Sequence, residues 1–383
     1  MPVRHGNEGQ RTAGRRAGGG GYSSGTGRGH PGLTGCVTSR HHRFPHDRSK
    51  QMSPTVLAGI LVVIALGFGF FNGMHDSASI VATAISSRAI SPRRVLVLTA
   101  LCEFVGPLIF GVSVATTVGD KVVAANTITI AVTLAALLAA IIWNIIGILL
   151  GIPASSSHAL LGGILGAAVF GYGVSIVKME GLITVLISLF VSPLLGLIGG
   201  YIMMKLFLFL ARGASPKINH WLKRAQILTT AGLALSHGAN DAQKTMGVIT
   251  MGLVATGLLP SFQVPTWVIL AAGSAIALGT YTGGWNVIKT LGAKFYKVRP
   301  MHAFTSQVTS GLIIMAASIL GGPVSTTQVV SSSIMGAGSG QRISQVRWKV
   351  GRDILIAWVL TIPVTAVLAA LLYMPISLLV RAP

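Results

Sequence analysis

The chain has 383 residues, 51% of them hydrophobic and only 10% charged, with a formal net charge of +21. A soluble globular domain carries about 25% charged residues, so that class is excluded. Cys36 and Cys102 lie far apart in unlike contexts, which argues against a disulfide framework and against a thiolate metal site.

Residues 1–51 hold nine Lys/Arg against Glu8 and Asp47, twelve Gly, and almost no aliphatic side chains. Such a stretch cannot bury enough surface to offset its chain entropy, and it reads as a disordered basic tail. Its two aromatic residues, Tyr22 and Phe44, are too far apart to give a stacking pattern for nucleic acid. The apolar run from Thr55 starts too far from Met1 and is too long for a secretory signal. Translation starting natively at Met52, just before Ser53-Pro54, is the simplest account of this tail.

From residue 54 the chain alternates long apolar segments with short polar ones, several longer than the roughly 20 residues that cross a bilayer. The clean spans are 95–116, 127–150, 182–210, 266–288, 302–321 and 354–380. Spans 54–86 and 226–257 are over-long and interrupted by polar residues, so mid-span breaks are expected there. Stretches 152–171 and 322–338 are short and rich in Gly, Ser and Thr, which suggests re-entrant hairpins or broken helices. Basic residues cluster at Arg88/Arg93/Arg94, Arg212/Lys217/Lys223/Arg224, Lys289/Lys294/Lys297/Arg299 and Arg342/Arg347/Lys349/Arg352, while loops 117–126, 172–181 and 258–265 are nearly neutral. With one traversal per segment, all four basic clusters fall on the cytoplasmic side, and both ends of the core fall outside.

That count gives five traversals on each side of a cytoplasmic linker at 211–225, so the second half is upside down relative to the first. The expected fold is therefore an all-α membrane protein made of two inverted five-segment repeats, 52–210 and 226–383, with broken helices and re-entrant hairpins. Two motifs recur in order. Gly73-Met74-His75-Asp76 parallels Gly238-Ala239-Asn240-Asp241, 165 positions on, and Pro153-Ala154-Ser155-Ser156-Ser157-His158 parallels Pro323-Val324-Ser325-Thr326-Thr327-Gln328, 170 positions on. Inverted repeats interrupted at corresponding places mark secondary transporters, with the site near the midplane.

Asp76 and Asp241 are the first candidates. A carboxylate at the centre of a span costs about 2.5–3.5 kcal/mol on insertion scales, and it faces a partner or a water-filled cavity. The hydroxyl runs Ser155-Ser156-Ser157 and Ser325-Thr326-Thr327 stand where a helix should begin, and free N–H groups at such ends attract anions. Two of these ends would cage a tetrahedral oxyanion. An anion beside two aspartates needs positive company, so H+, Na+ or a metal–anion complex should enter with it. Asn72, Asn240 and Gln243 can serve as uncharged ligands, His75 adjoins Asp76 as a candidate proton carrier, and Glu103 is a third intramembrane acid. Lys244 has three readings: ion partner of Asp241, contact to the anion, or snorkelling end residue.

With these residues in hand, the chain resembles the inorganic phosphate transporter (PiT) family, of the bacterial low-affinity permease type, over almost all of 54–380. The carriers are Phe71-Asn72-Gly73-Met74-His75-Asp76-Ser77-Ala78-Ser79, Ser236-His237-Gly238-Ala239-Asn240-Asp241-Ala242-Gln243-Lys244, the two Pro-x-hydroxyl runs, and Gly283-Gly284-Trp285-Asn286-Val287-Ile288-Lys289. The resemblance implies an inverted-repeat symporter of the bacterial inner membrane, commonly a homodimer, that moves inorganic phosphate with a cation. His75 before Asp76, Ser79, and Gln307 depart from the pattern of sodium-coupled members. H+ is thus the favoured coupling ion, with Na+ as the alternative and Mg2+ or another divalent ion as a companion of phosphate; no cofactor is implied. Sulfate or another tetrahedral oxyanion is a competing substrate. An enzyme is disfavoured, because the chain carries no phosphate-loop signature or His-Glu-x-x-His pair, and its Gly-x-Ser-x-Gly match, Gly21-Tyr22-Ser23-Ser24-Gly25, lies in the Gly-rich basic tail and not between a strand and a helix.

Overall fold

The computed structural model describes residues 53–120 and 129–381. The tail expected to be disordered, 1–51, and part of the neutral loop 117–126 lie outside the described residues. Among those described, the secondary structure is helical, with no strand. The first half holds α1 (Pro54–Ser86), α2 (Pro92–Phe110), α3 (Ser113–Asp120), α4 (Ile130–Leu150), α5 (Ser156–Tyr172) and α6 (Met179–Leu210). The second holds α7 (Ile218–Ala255), α8 (Thr266–Thr282), α9 (Trp285–Lys289), α10 (Pro300–Ile319), α11 (Thr326–Gln341) and α12 (Trp348–Arg381). Each half closes in the same order: a helix that opens on hydroxyls (α5, α11), a short 3-10 turn, and a long helix with interior proline (α6, α12).

Helices α1, α4, α6 and α12 are long and apolar enough to cross a bilayer, and α8 with the segment to Lys294 adds a span bent by 62°. On α6, Ile187, Phe190, Leu194 and Ile198 are exposed, while Val185, Leu189, Ser192, Gly196 and Gly200 are buried. Apolar side chains thus cover the outside and small ones the inside, the pattern of a helix between lipid and protein.

The mid-span breaks expected in 54–86 and 226–257 do not occur: α1 and α7 run unbroken through Asp76 and Asp241. Other helices hydrogen-bond these side chains, so the backbone ladder need not open to satisfy them. Breaks fall instead where glycine adopts positive φ. The span expected at 95–116 is interrupted at Gly111 (φ 78°), and 266–288 turns at Gly283 (φ 72°). Neither 152–171 nor 322–338 is a two-armed hairpin. Each is a non-helical tetrapeptide, 152–155 or 322–325, that feeds a single helix after left-handed Gly151 or Gly321.

Apart from α7 on α10 within the second half, the most extensive helix pairings cross between the halves: α6 on α11, α5 on α12, α2 on α7 and α1 on α8. Exchanging halves converts each of these pairs into another of them. Glycine permits the contact. A Cβ on Gly73 would lie 2.1 Å from the Ile276 carbonyl oxygen, and one on Gly279 would lie 1.9 Å from that of Phe70, so α1 and α8 touch backbone to backbone. At the α2/α7 crossing, a Cβ on Gly238 would lie 2.3 Å from the Glu103 carbonyl oxygen. These crossings sit at the motif segments and bring them into register.

Gly279→Val should therefore cost about 2 kcal/mol or more, because backbone rather than a flexible side chain must move. It should lower the melting temperature and monodisperse yield in detergent. Gly59→Ala, whose Cβ would meet nothing within 4 Å, should leave both unchanged.

Candidate functional site

Asp76 and Asp241 lie at the middle of α1 and α7, both with no exposed surface. Burying a carboxylate is tolerable only when its oxygens are fully supplied with donors. Asp76 accepts from Thr327 Oγ1 (2.7 Å) at Oδ1 and from Ser156 Oγ (3.0 Å) at Oδ2. Asp241 accepts from Lys244 Nζ (2.6 Å) at Oδ1, and from Thr326 Oγ1 (3.2 Å) and Asn72 Nδ2 (3.3 Å) at Oδ2. Ser156 and Thr326 thus each serve the aspartate of their own half, while Thr327 and Asn72 cross to the other.

The residue before each aspartate repeats a second grip. His75 Nε2 lies 3.0 Å from the Ile152 carbonyl oxygen, and Asn240 Nδ2 donates to Gly322 O (3.4 Å) and to Ser318 Oγ (3.2 Å). Ile152 and Gly322 precede Pro153 and Pro323, so both grips fix the tetrapeptide leading into a hydroxyl run. Ser155 and Ser325 cap α5 and α11 by accepting from the His158 and Gln328 N–H groups. Ser157 Oγ donates to Val324 O (3.1 Å) and Gln328 Nε2 comes within 3.4 Å of His158 Nδ1, so the two runs touch.

His75 carries a proton argument of its own. A nitrogen facing a carbonyl oxygen must bear hydrogen, so Nε2 is protonated. Nδ1 lies 2.7 Å from Asp76 Oδ1, and a neutral imidazole would turn a lone pair toward a carboxylate lone pair there. The contact requires one further proton, shared by His75 and Asp76. On the other side, His237 Nδ1 lies 2.7 Å from Glu103 Oε1 and its Nε2 lies 3.5 Å from Asp241 Oδ2. The Glu103 contact is an ion-pair distance whose angles fall short of a hydrogen bond. Asp76, His237 and Asp241 each present a ligand atom within 4.8 Å of the other two, a spacing that a cation can bridge.

The structure therefore gathers Asn72, His75, Asp76, Ser156, Asp241, Thr326 and Thr327, and attaches Glu103 through His237. Ser155, Ser157 and Ser325 shape the runs instead of reaching a carboxylate. Asn240 braces its turn. Gln243 lies apart from the cluster: its Oε1 accepts from the Val114 (2.7 Å) and Ala115 (3.2 Å) N–H groups and caps the start of α3. Two residues of the second motif that were not among the candidate site residues join the site, His237 as the bridge to Glu103 and Lys244 as the ion partner of Asp241, one of its three readings. Their sequence signal was helical spacing, four before and three after Asp241.

Residues 72–216 and 210–369 match the family described as the phosphate transporter family. The chain belongs to that family. It is 40% identical over 328 residues to a Bacillus subtilis protein described as "probable low-affinity inorganic phosphate transporter", covering 85% of this chain and 98% of the relative. A Rhizobium meliloti protein of the same description is 38% identical over 315 residues, covering 82% and 94%. A solved structure titled "The sodium-dependent phosphate transporter" matches with a TM-score of 0.76 at 25% identity, covering 84% of this chain and 99% of that one. Members of this phosphate transporter family are transporters and not enzymes, and with its spanning helices the chain is a multi-pass membrane protein.

Gln243→Leu should leave the Val114 and Ala115 N–H groups unpaired, at a cost of about 1–3 kcal/mol. Thermal melts in detergent should show the loss, and phosphate affinity at a temperature where the variant is folded should stay parental.

Proposed function

We propose that the chain takes up inorganic phosphate across the bacterial inner membrane by symport with a cation, H+ being favoured. The observation that carries the reading is the convergence of hydroxyls from both helix starts on two buried aspartates. With the carboxylates charged, Ser156, Thr326 and Thr327 spend their protons on Asp76 and Asp241. Once a proton or other cation neutralises the carboxylates, those hydroxyls are free to turn to an oxyanion at the amino ends of α5 and α11. Cation and anion then bind only together, which is coupling.

The proton shared between His75 and Asp76 supports H+ as the partner. Phosphate near neutral pH also keeps a proton to donate to a carboxylate, which sulfate lacks. Na+ is the second reading, favoured by the solved relative's title and by the three ligand atoms of Asp76, His237 and Asp241. A divalent ion carried with phosphate is compatible with the same donors. The exchange of helix pairings between halves supports an inverted repeat, with alternating access by rocking one half against the other. The basic loops belong in the cytoplasm and both ends of the core outside. A homodimer is the expected assembly.

Uptake of labelled phosphate into proteoliposomes tests this. An inward proton gradient should drive uptake without Na+, and excess sulfate should compete weakly. Asp76→Asn and Asp241→Asn should each reduce gradient-driven uptake to background with expression intact. Parental uptake in both variants removes the aspartates from the mechanism; uptake that follows Na+ and ignores pH replaces the proton.

A further inference from the structure

The two halves of the site differ electrically. Lys244 follows Asp241 by three positions, as Ser79 follows Asp76, and 165 positions separate the members of each pair, so Lys244 and Ser79 occupy equivalent places. Lys244 is 1% exposed, and its ammonium lies 2.6 Å from Asp241 Oδ1. It also borders a small cavity with Ser157 and Pro323, one residue from each Pro-x-hydroxyl stretch. Ser79 is fully buried, and its hydroxyl has no hydrogen-bond partner. A buried ammonium needs a partner of opposite charge, and the side chain that bears it cannot leave with the transported ions.

Building on the proposed symport, we infer that Lys244 is a tethered cation. It occupies at Asp241 the place that a mobile cation would otherwise take, so the travelling cation belongs to the Asp76 half. That half offers a titratable His75, two hydroxyl donors on the carboxylate, and the unpartnered Ser79 hydroxyl. One positive charge fewer then crosses with each phosphate than in a site whose two halves both lacked an ammonium.

Lys244→Ser copies the first half's residue into the second and is the direct test. In the purified full chain, phosphate should bind about tenfold or more weakly when choline is the added monovalent cation. Na+ or ethylammonium should restore most of that loss. In proteoliposomes, the reversal potential should report one more positive charge per phosphate than in the parent. Lys244→Arg, which keeps the tethered charge, should keep the parental charge count per phosphate. Parental values in folded Lys244→Ser overturn the inference, and so does a loss that no cation repairs in a monodisperse protein of parental melting temperature. Lys244→Met, which keeps the bulk of the stem, carries the same test if the serine variant does not fold. Failure of the parent to take up phosphate counts against the symport reading instead.

Discussion

Two carboxylates held away from water in the middle of an apolar bundle set the terms for the rest of this molecule. Each oxygen needs donors, because an unpaired buried carboxylate is far costlier than the net gain from any hydrogen bond. No single helix can supply them: Asp76 draws on α5 and α11, and Asp241 on α1, α7 and α11. The aspartates are therefore stable only when the elements meet, and the elements that meet are the ones bearing hydroxyls. This ties the integrity of the fold to the proposed phosphate site.

Close approach makes that meeting possible. Gly73 and Gly279 let α1 and α8 touch at the backbone, and Gly238 lets α7 press on α2 at Glu103. Lipid does not drive helices together as water does, so van der Waals fit at small residues carries more of the association. The same contacts set the depth of the acids: Glu103 comes beside His237 because its own carbonyl lies against Gly238. Packing and chemistry share residues here.

Repetition builds the site, and the departures from repetition give it direction. Ser156 and Thr326 do the same work 170 positions apart, as do His75 and Asn240 at the two tetrapeptides. At the equivalent positions, however, His75 can carry a proton where Asn240 cannot, and Lys244 brings a charge where Ser79 brings a hydroxyl. The two halves therefore carry unequal charges at equivalent sequence positions. The electrostatic asymmetry resides in a few side chains, while the motifs and the helix pairings between halves recur.

The sequence alone determined the class of fold, the repeated motifs, the aspartates and the hydroxyl runs, because an acid in an apolar span and a Pro-x-Ser-Ser start are local signals with a physical cost. It misjudged where the helices break. Polar residues such as Asn72 and His75 looked like interruptions, yet partners far along the chain satisfy them, and only glycines with positive φ interrupt the segments. Tertiary structure alone decided which donor serves which oxygen, that Gln243 caps α3 while Lys244 pairs with Asp241, and that Glu103 reaches the cluster through His237. Those choices depend on helix rotation and crossing, which place residues 80 to 251 positions apart within hydrogen-bond reach. Local periodicity contains no term for that distance.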